Sequence, residues 1–249
     1  SRGIALVKVA ASSLPVPELA PKTEIRVGQW AIALGRTFGR QDPSVHLGIV
    51  SALMGRNDLV LADKLNHASL NDAALLSRAR FQRYSHFDLK QLEVMLASAK
   101  HRRKLVVTDA VFSMDGDIAP VPELLALCER YDASLMLDDA HGFGVLGEHG
   151  RGVLEYFGIA SPRIIYMATL GKAAGVFGAF VAGSEALIQT VMQRARTYIY
   201  TTAFPPLLAS ALITSLHLMR EEGWRRQHLR ELAVYLKQRL NTPSWRLLP

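Results

Sequence analysis

Two short stretches of this sequence end in groups that can do chemistry. Arg163-Ile164-Ile165-Tyr166-Met167-Ala168-Thr169-Leu170-Gly171-Lys172 is an apolar run, rich in β-branched and aromatic residues, that stops at a lysine among small residues. Ser134-Leu135-Met136-Leu137-Asp138-Asp139-Ala140-His141-Gly142 is a second apolar run, and it stops at two carboxylates and an imidazole. A lysine amine forms an imine with an aldehyde, and a buried carboxylate keeps a pyridine nitrogen protonated so that the ring accepts electrons from a carbanion. Those are the parts that pyridoxal 5′-phosphate chemistry needs. On its own, Lys172 reads equally well as a surface lysine after a strand.

The elements that would position these groups follow from the hydrophobic pattern. Both runs have the composition of buried strands, and in open α/β sheets ligands sit outside the carboxyl ends of the strands, so the two stretches aim at one crevice. From Asp58 onward strand and helix patterns alternate. Leu59 to Leu61, Phe81 to Tyr84, Lys104 to Val111, Ser134 to Leu137 and Phe177 to Ala182 read as strands. His67 to Leu76, Asp88 to Ala97 with Asp88 as N-cap, and Pro122 to Tyr131 with proline in its first turn read as helices. Three further helical patterns, Ser184 to Thr197, Pro206 to Glu222 and Gly223 to Leu240, close the chain. The alternation predicts a mostly parallel sheet covered on both faces.

Four strings carry a resemblance: Asn66-His67-Ala68-Ser69, Phe112-Ser113-Met114-Asp115-Gly116-Asp117, Asp138-Asp139-Ala140-His141-Gly142 and Thr169-Leu170-Gly171-Lys172. From about Leu47 to the end the chain resembles the α-oxoamine synthase family of fold-type I pyridoxal phosphate enzymes. The resemblance implies a three-layer α/β fold with a mostly parallel sheet, the aminotransferase-like large domain. It implies Lys172 as the imine-forming lysine and base, Asp138 as partner of the pyridine nitrogen, and His67 stacked on the pyridine face. It also places Ser113 and His141 near the phenolic oxygen and Thr169 at the phosphate. His67 reads otherwise as a polar residue in a first helical turn, and Ser113 as a turn former before Asp115-Gly116. Asp139, next in an extended segment, should point away from Asp138, and His86 stays a loop residue. Tyr198-Ile199-Tyr200-Thr201-Thr202-Ala203-Phe204-Pro205-Pro206 resembles the family's segment that crosses a dimer interface, so Thr201 or Thr202 would approach the phosphate in a homodimer.

The reaction so implied is decarboxylative condensation of L-alanine with a pimeloyl thioester of coenzyme A or acyl carrier protein. Alternatives are a sister enzyme that takes glycine or serine, and a non-catalytic fusion or binding module. Relative to the family pattern the chain lacks the glycine-rich phosphate-binding turn and the C-terminal arginine that clamps the amino-acid carboxylate. It is therefore expected to bind the cofactor weakly and not to turn over.

Residues 1–46 have a different character. Ile4 to Val9 and Val27 to Gly35 read as strands around a proline-punctuated loop, and Val45-His46-Leu47-Gly48-Ile49-Val50-Ser51 resumes strand character, with His46 a strand residue. Ile4-Ala5-Leu6-Val7-Lys8-Val9, Arg26-Val27-Gly28-Gln29-Trp30 and Gly48-Ile49-Val50-Ser51-Ala52 resemble part of an HtrA-type serine protease domain. Its triad is absent: Gly3 stands in the place of the acid, and no nucleophile motif occurs. The expected organisation is a β segment over 1–46, a cofactor-binding domain over 47–240 and the start of a further domain over 241–249, with a fusion near Leu47 to Leu53 or, alternatively, residues 1–46 as an unusual β extension.

Composition narrows the class. The 249 residues are 49% hydrophobic and carry a net charge of +7, enough to bury a core and without an aromatic-interleaved basic motif for nucleic acid. The basic clusters His101-Arg102-Arg103-Lys104, Arg194/Arg196 and Arg225-Arg226 read as solvated faces or, alternatively, as attraction for an anionic thioester. The single cysteine, Cys128, has no disulfide partner and is compatible with a cytoplasmic location. No apolar stretch has the length of a membrane span, and Lys8 interrupts the first apolar run, so no signal peptide is read and no metal site is expected.

Overall fold

The computed structural model describes residues 43–202 and 205–240. The expected strands at Ile4 to Val9 and Val27 to Gly35, and the segment 241–249, lie outside the described residues. The elements are α1 (Pro43–Leu53), β1 (Leu59–Asp63), α2 (Ala68–Leu76), β2 (Arg80–Tyr84), α3 (Leu89–Ser98), β3 (Lys104–Asp109), α4 (Val121–Arg130), β4 (Ser134–Asp138), α5 (Val153–Phe157), β5 (Ile164–Thr169), β6 (Ala179–Ala182), α6 (Glu185–Arg194), α7 (Arg196–Ile199), α8 (Pro206–Glu221) and α9 (Trp224–Arg239).

The six strands form one sheet in the order β2-β1-β3-β4-β5-β6, parallel except for β6, which pairs antiparallel with β5. From β1 the chain steps to β2 on one side and then to β3 on the other, and such a reversal opens a crevice at the carboxyl ends. The inner strands β1, β3 and β5 are buried on both faces, which is why they read as continuous apolar runs rather than alternating ones, whereas the edge strand β2 is partly exposed.

Alternation along each strand divides the core into two layers. Leu59, Leu61, Val106, Leu135, Leu137, Ile164 and Tyr166 pack with Leu92 and Leu96 of α3, Leu124 and Cys128 of α4, Val153 of α5 and Leu212 of α8. Val60, Ala62, Leu105, Val107, Met136, Ile165, Met167 and Val181 pack on the other face with Ile49 and Val50 of α1, Leu70 and Ala73 of α2, and Ile188 and Val191 of α6. A mostly parallel α/β sheet with helices on both faces is the fold the pattern predicts.

Two readings need correction, and one element is additional to those expected. Val45 to Ser51 is not a strand but lies in α1, and His46 with it. The β-branched residues there favour a strand locally, but Val45, Ile49 and Ala52 recur at helical spacing and are buried against the sheet, so tertiary packing overrides propensity. The pattern over Ser184 to Thr197 is two helices, broken at the extended backbone of Ala195. The five-residue α5 was not foreseen, because it is too short to show a period.

Helix starts were more legible. Asp88 caps α3, its Oδ1 accepting the Gln91 N–H at 2.9 Å. Asp88→Ala should lower stability by about 1 kcal/mol, read as a shift of the denaturant midpoint at unchanged slope; no shift would show that this cap contributes nothing.

Candidate active site

The carboxyl ends of three adjacent strands carry Asp109 (β3), Asp138 (β4) and Thr169 (β5). Asp109 and Asp138 are directly paired in the parallel register. Each lies an even number of residues from Val107, Met136 or Met167, so all three belong to the face packed by α1 and α2. Together with His46, His67, Ser113, Ala140, His141, Met167 and Lys172 they line one cavity of about 20 Å³. The structure thus brings together six of the eight residues singled out from sequence: His67, Ser113, Asp138, His141, Thr169 and Lys172. Thr201 and Thr202 are exposed beyond α7 and do not line the cavity within one chain.

Each side chain is held by local structure. His67 is the N-cap of α2: its Nδ1 accepts the Ser69 N–H at 3.3 Å and lies 2.6 Å from Ser69 Oγ, while its own N–H donates to Asp109 at 2.9 Å. Asn66 ties the same turn to β3, its Nδ2 donating to the Val107 carbonyl and its Oδ1 accepting the Asp109 N–H. The Thr169 hydroxyl donates to the Gly178 carbonyl at 3.2 Å and accepts the Gly171 N–H at 3.3 Å, which fixes the start of the lysine turn. At the end of that turn Lys172 Nζ lies 2.8 Å from His141 Nε2.

The two neighbouring aspartates have separate surroundings. Asp138 is buried; its Oδ2 accepts Nε2–H of His46 at 2.7 Å and its Oδ1 accepts the Ala140 N–H at 3.0 Å. Burial alone would raise its pKa, but the His46 charge and hydrogen bond, the Ala140 N–H and Lys172 outweigh it and hold the carboxyl below the ordinary range. Asp139 points to the opposite face, where its Oδ2 accepts the Tyr166 hydroxyl and the Val153 N–H, both at 2.7 Å. Gly152 makes this pair possible: at φ +84°, a Cβ there would lie 2.0 Å from Asp139 Oδ2 and 2.4 Å from the Tyr166 hydroxyl. Burial pushes Asp139 up to about 7. Burial and the charge of Asp138 likewise raise Asp109 to about 7.

Two site residues were missed from sequence. His46 was read as a strand residue, yet it is 1% exposed and bound to Asp138; only the helical spacing of its neighbours hinted at this. Asp109 ends β3 as Asp138 ends β4, and that position was the available signal. Outside the cavity, His86 is in a loop, as read, and lies 3.0 Å from Asp63 and 3.3 Å from Asp117 and stacks on Phe87, so it clasps the turn that carries Ser113.

Basic residues read as solvated or anion-attracting are in part structural. Arg103 pairs with buried Asp58, and Arg226 is itself buried, donating to the carbonyls of Met219 and Glu148 at 2.6 Å. A larger cavity of about 740 Å³, between α8 and the 143–151 loop, is walled mainly by Phe143, Leu170, Phe180, Leu212 and Met219 and does not include the lysine or the strand-end carboxylates. Among the described residues no group of three or more His, Cys, Asp and Glu is placed to hold a metal ion, and no helix is long and apolar enough to cross a membrane.

A lysine and a buried carboxylate at adjacent strand ends of a doubly covered parallel sheet define a cofactor-dependent α/β enzyme class, and the comparisons identify it. A model of the family "Aminotransferase class I and II" matches residues 44–249, and the chain belongs to that family. It is 66% identical over 202 residues to 8-amino-7-oxononanoate synthase of Nitrosospira multiformis, covering 81% of this chain and 51% of that protein. It is 64% identical over 203 residues to the synthase of the same name from Methylobacillus flagellatus, with 82% and 51% covered. The chain thus spans about half the length of the curated relatives it matches. Among solved structures it is similar to 8-amino-7-oxononanoate synthase from Francisella tularensis, with TM-score 0.73 and 32% identity over 84% of this chain and 61% of that one. It is also similar to Sphingomonas wittichii serine palmitoyltransferase, with TM-score 0.80 and 30% identity over 88% and 54%.

Asp139 gives a prediction for pH dependence. With its carboxyl raised to about 7, the folded protein holds a proton between pH 4 and 7 that the unfolded chain has released. Its contribution is therefore fully present below about pH 4 and is lost as pH rises through 7. Asp139→Asn keeps an acceptor for Tyr166 and Val153 without the charge, so its Tm relative to the parent should increase between pH 5 and pH 8, by the equivalent of roughly 1–3 kcal/mol. Asp109 titrates alike in both proteins and cancels from the difference. A constant difference across that range would assign Asp139 an ordinary pKa.

Proposed function

We propose that this chain is the cofactor-binding part of a pyridoxal phosphate-dependent acyltransferase that condenses L-alanine with a pimeloyl thioester to give 8-amino-7-oxononanoate, a step of biotin synthesis. The observation that carries the reading is the convergence of Lys172 and Asp138 on one cavity at the carboxyl ends of β4 and β5. The names of the relatives at 66% and 64% identity support the substrate assignment.

The residues fit the cofactor in chemistry. When bound, it supplies an electron sink for the carbanion left when an amino-acid Cα loses a proton. Asp138, kept ionised in a buried setting, is the group to hold the pyridine nitrogen, and His67 offers its ring to the pyridine face. Ser113 and His141 serve the phenolic oxygen, and Thr169 the phosphate. Lys172 is the attachment point and, once freed, the base that takes the Cα proton. The nearby His141 imidazole is placed to share a proton with it. Thr201 and Thr202, exposed and outside the cavity of their own chain, serve a second subunit's phosphate in a homodimer, and the acyl donor is a thioester of coenzyme A or acyl carrier protein.

The likeness to serine palmitoyltransferase favours a second reading, in which another amino acid is condensed with another acyl thioester. Product analysis with alanine, glycine and serine separates the two.

Incubation with pyridoxal phosphate, borohydride reduction and peptide mapping should place the pyridoxyl group on Lys172, and Lys172→Ala should abolish the label. Labelling spread over surface lysines, or confined to another lysine, would remove the basis of this reading.

A further inference from the structure

The fit that is good in chemistry is poor in space, and one side chain accounts for it. Ligand pockets measure roughly 300–1,000 Å³, whereas the cavity at the strand ends is about 20 Å³, room for a single water. His46 projects from α1, where Ile49 and Val50 anchor the helix in the core. Its side chain is 2% exposed, and Nε2 lies 2.7 Å from Asp138 Oδ2. An imidazole N–H and a pyridinium N–H are both in-plane donors on an aromatic ring, and one carboxylate oxygen receives either in the same way.

We infer that His46 is an internal plug: it occupies the ring-nitrogen position at Asp138, so that a pyridinium ligand binds only after the His46 side chain has been displaced. The inference rests on the reading of the site proposed above. A buried carboxylate without a partner is strongly destabilising, so His46 satisfies Asp138 when no ligand does. The ligand then competes with a built-in donor, and its apparent affinity falls by the fraction of molecules in which the site is open. Breaking a charge-assisted bond of this kind corresponds to a factor of roughly 10 to 100 in that affinity.

The test uses pyridoxine phosphate, which has the ring and the phosphate but no aldehyde, so that binding does not depend on Lys172. His46→Ala should bind it roughly 10- to 100-fold more tightly than the parent. In the Asp138→Asn background the same substitution should bring little gain, because the competition is for that carboxylate. Free imidazole should raise the Tm of His46→Ala and compete with pyridoxine phosphate for it. In the parent protein, saturating pyridoxine phosphate should shift the ring ¹⁵N resonances of His46, a measurement that holds even if the variant folds poorly. Equal affinities for parent and His46→Ala, or unmoved His46 resonances at saturation, overturn the plug. If Lys172 is nevertheless labelled by pyridoxal phosphate, the functional reading stands without it. Failure of both folded proteins to bind pyridoxine phosphate or to label at Lys172 overturns both.

Discussion

The carboxylate of Asp138 is the constraint around which the cavity is arranged. An ionised acid in an apolar layer must be paired or lose its charge. Here three carboxyls, Asp109, Asp138 and Asp139, sit at the ends of two adjacent strands, and they cannot all stay ionised. Their surroundings divide them: Asp138 has His46, the Ala140 N–H and Lys172, while Asp109 and Asp139 are raised to about 7. Environments that push neighbouring acids apart assign them different tasks. The fold concentrates one stable negative charge at the end of β4, on the face where the lysine turn arrives.

That concentration depends on register. Asp109 pairs with Asp138 and Asp138 with Met167, so three strand ends stop nearly level and present alternate residues to the same face. The antiparallel β6 then closes the lysine turn: Leu170 N–H donates to Gly178 and Val176 N–H to Leu170, at 2.8 and 2.9 Å. Lys172 is therefore carried by a short loop tied at both ends, and Thr169 braces it from inside. A one-residue slip in β4 would exchange Asp138 for Asp139 and aim the wrong acid at the site.

The strand ends were legible in sequence because fully buried strands are unbroken apolar runs and their first polar residues mark where the sheet meets the crevice. Asp138 and Lys172 stand out that way, Thr169 gains its role only through the family resemblance, and the opposite facing of Asp139 follows from strand alternation. His46 was not legible, since its role depends on a contact 92 residues away in the chain and its own neighbours are β-branched. Nor was the clasp of His86 by Asp63 and Asp117, which needs the end of β1 and two loops in register. Arg226 was misread for a similar reason: a basic residue on a helix is usually solvated, and only the tertiary structure shows it bound to two carbonyls. Local pattern reports which groups reach the sheet edge but not what fills the space in front of them.

Fold and substrate are supported by different observations. The structural likeness is as close to a serine palmitoyltransferase, TM-score 0.80, as to an 8-amino-7-oxononanoate synthase, TM-score 0.73, at nearly equal identity. The architecture therefore does not choose between acyl and amino-acid substrates, as expected when one scaffold hosts several chemistries. The residues at the strand ends do not choose either, since the electron-sink chemistry proposed for them is common to any substrate of this kind. The proposed choice of alanine and a pimeloyl thioester rests instead on sequence identity of 66% and 64% to proteins named 8-amino-7-oxononanoate synthase. The match behind that identity runs over about four fifths of the chain, 202 and 203 residues, and so is not confined to the strand ends; side chains outside the shared chemistry are where a substrate is distinguished from its near relatives.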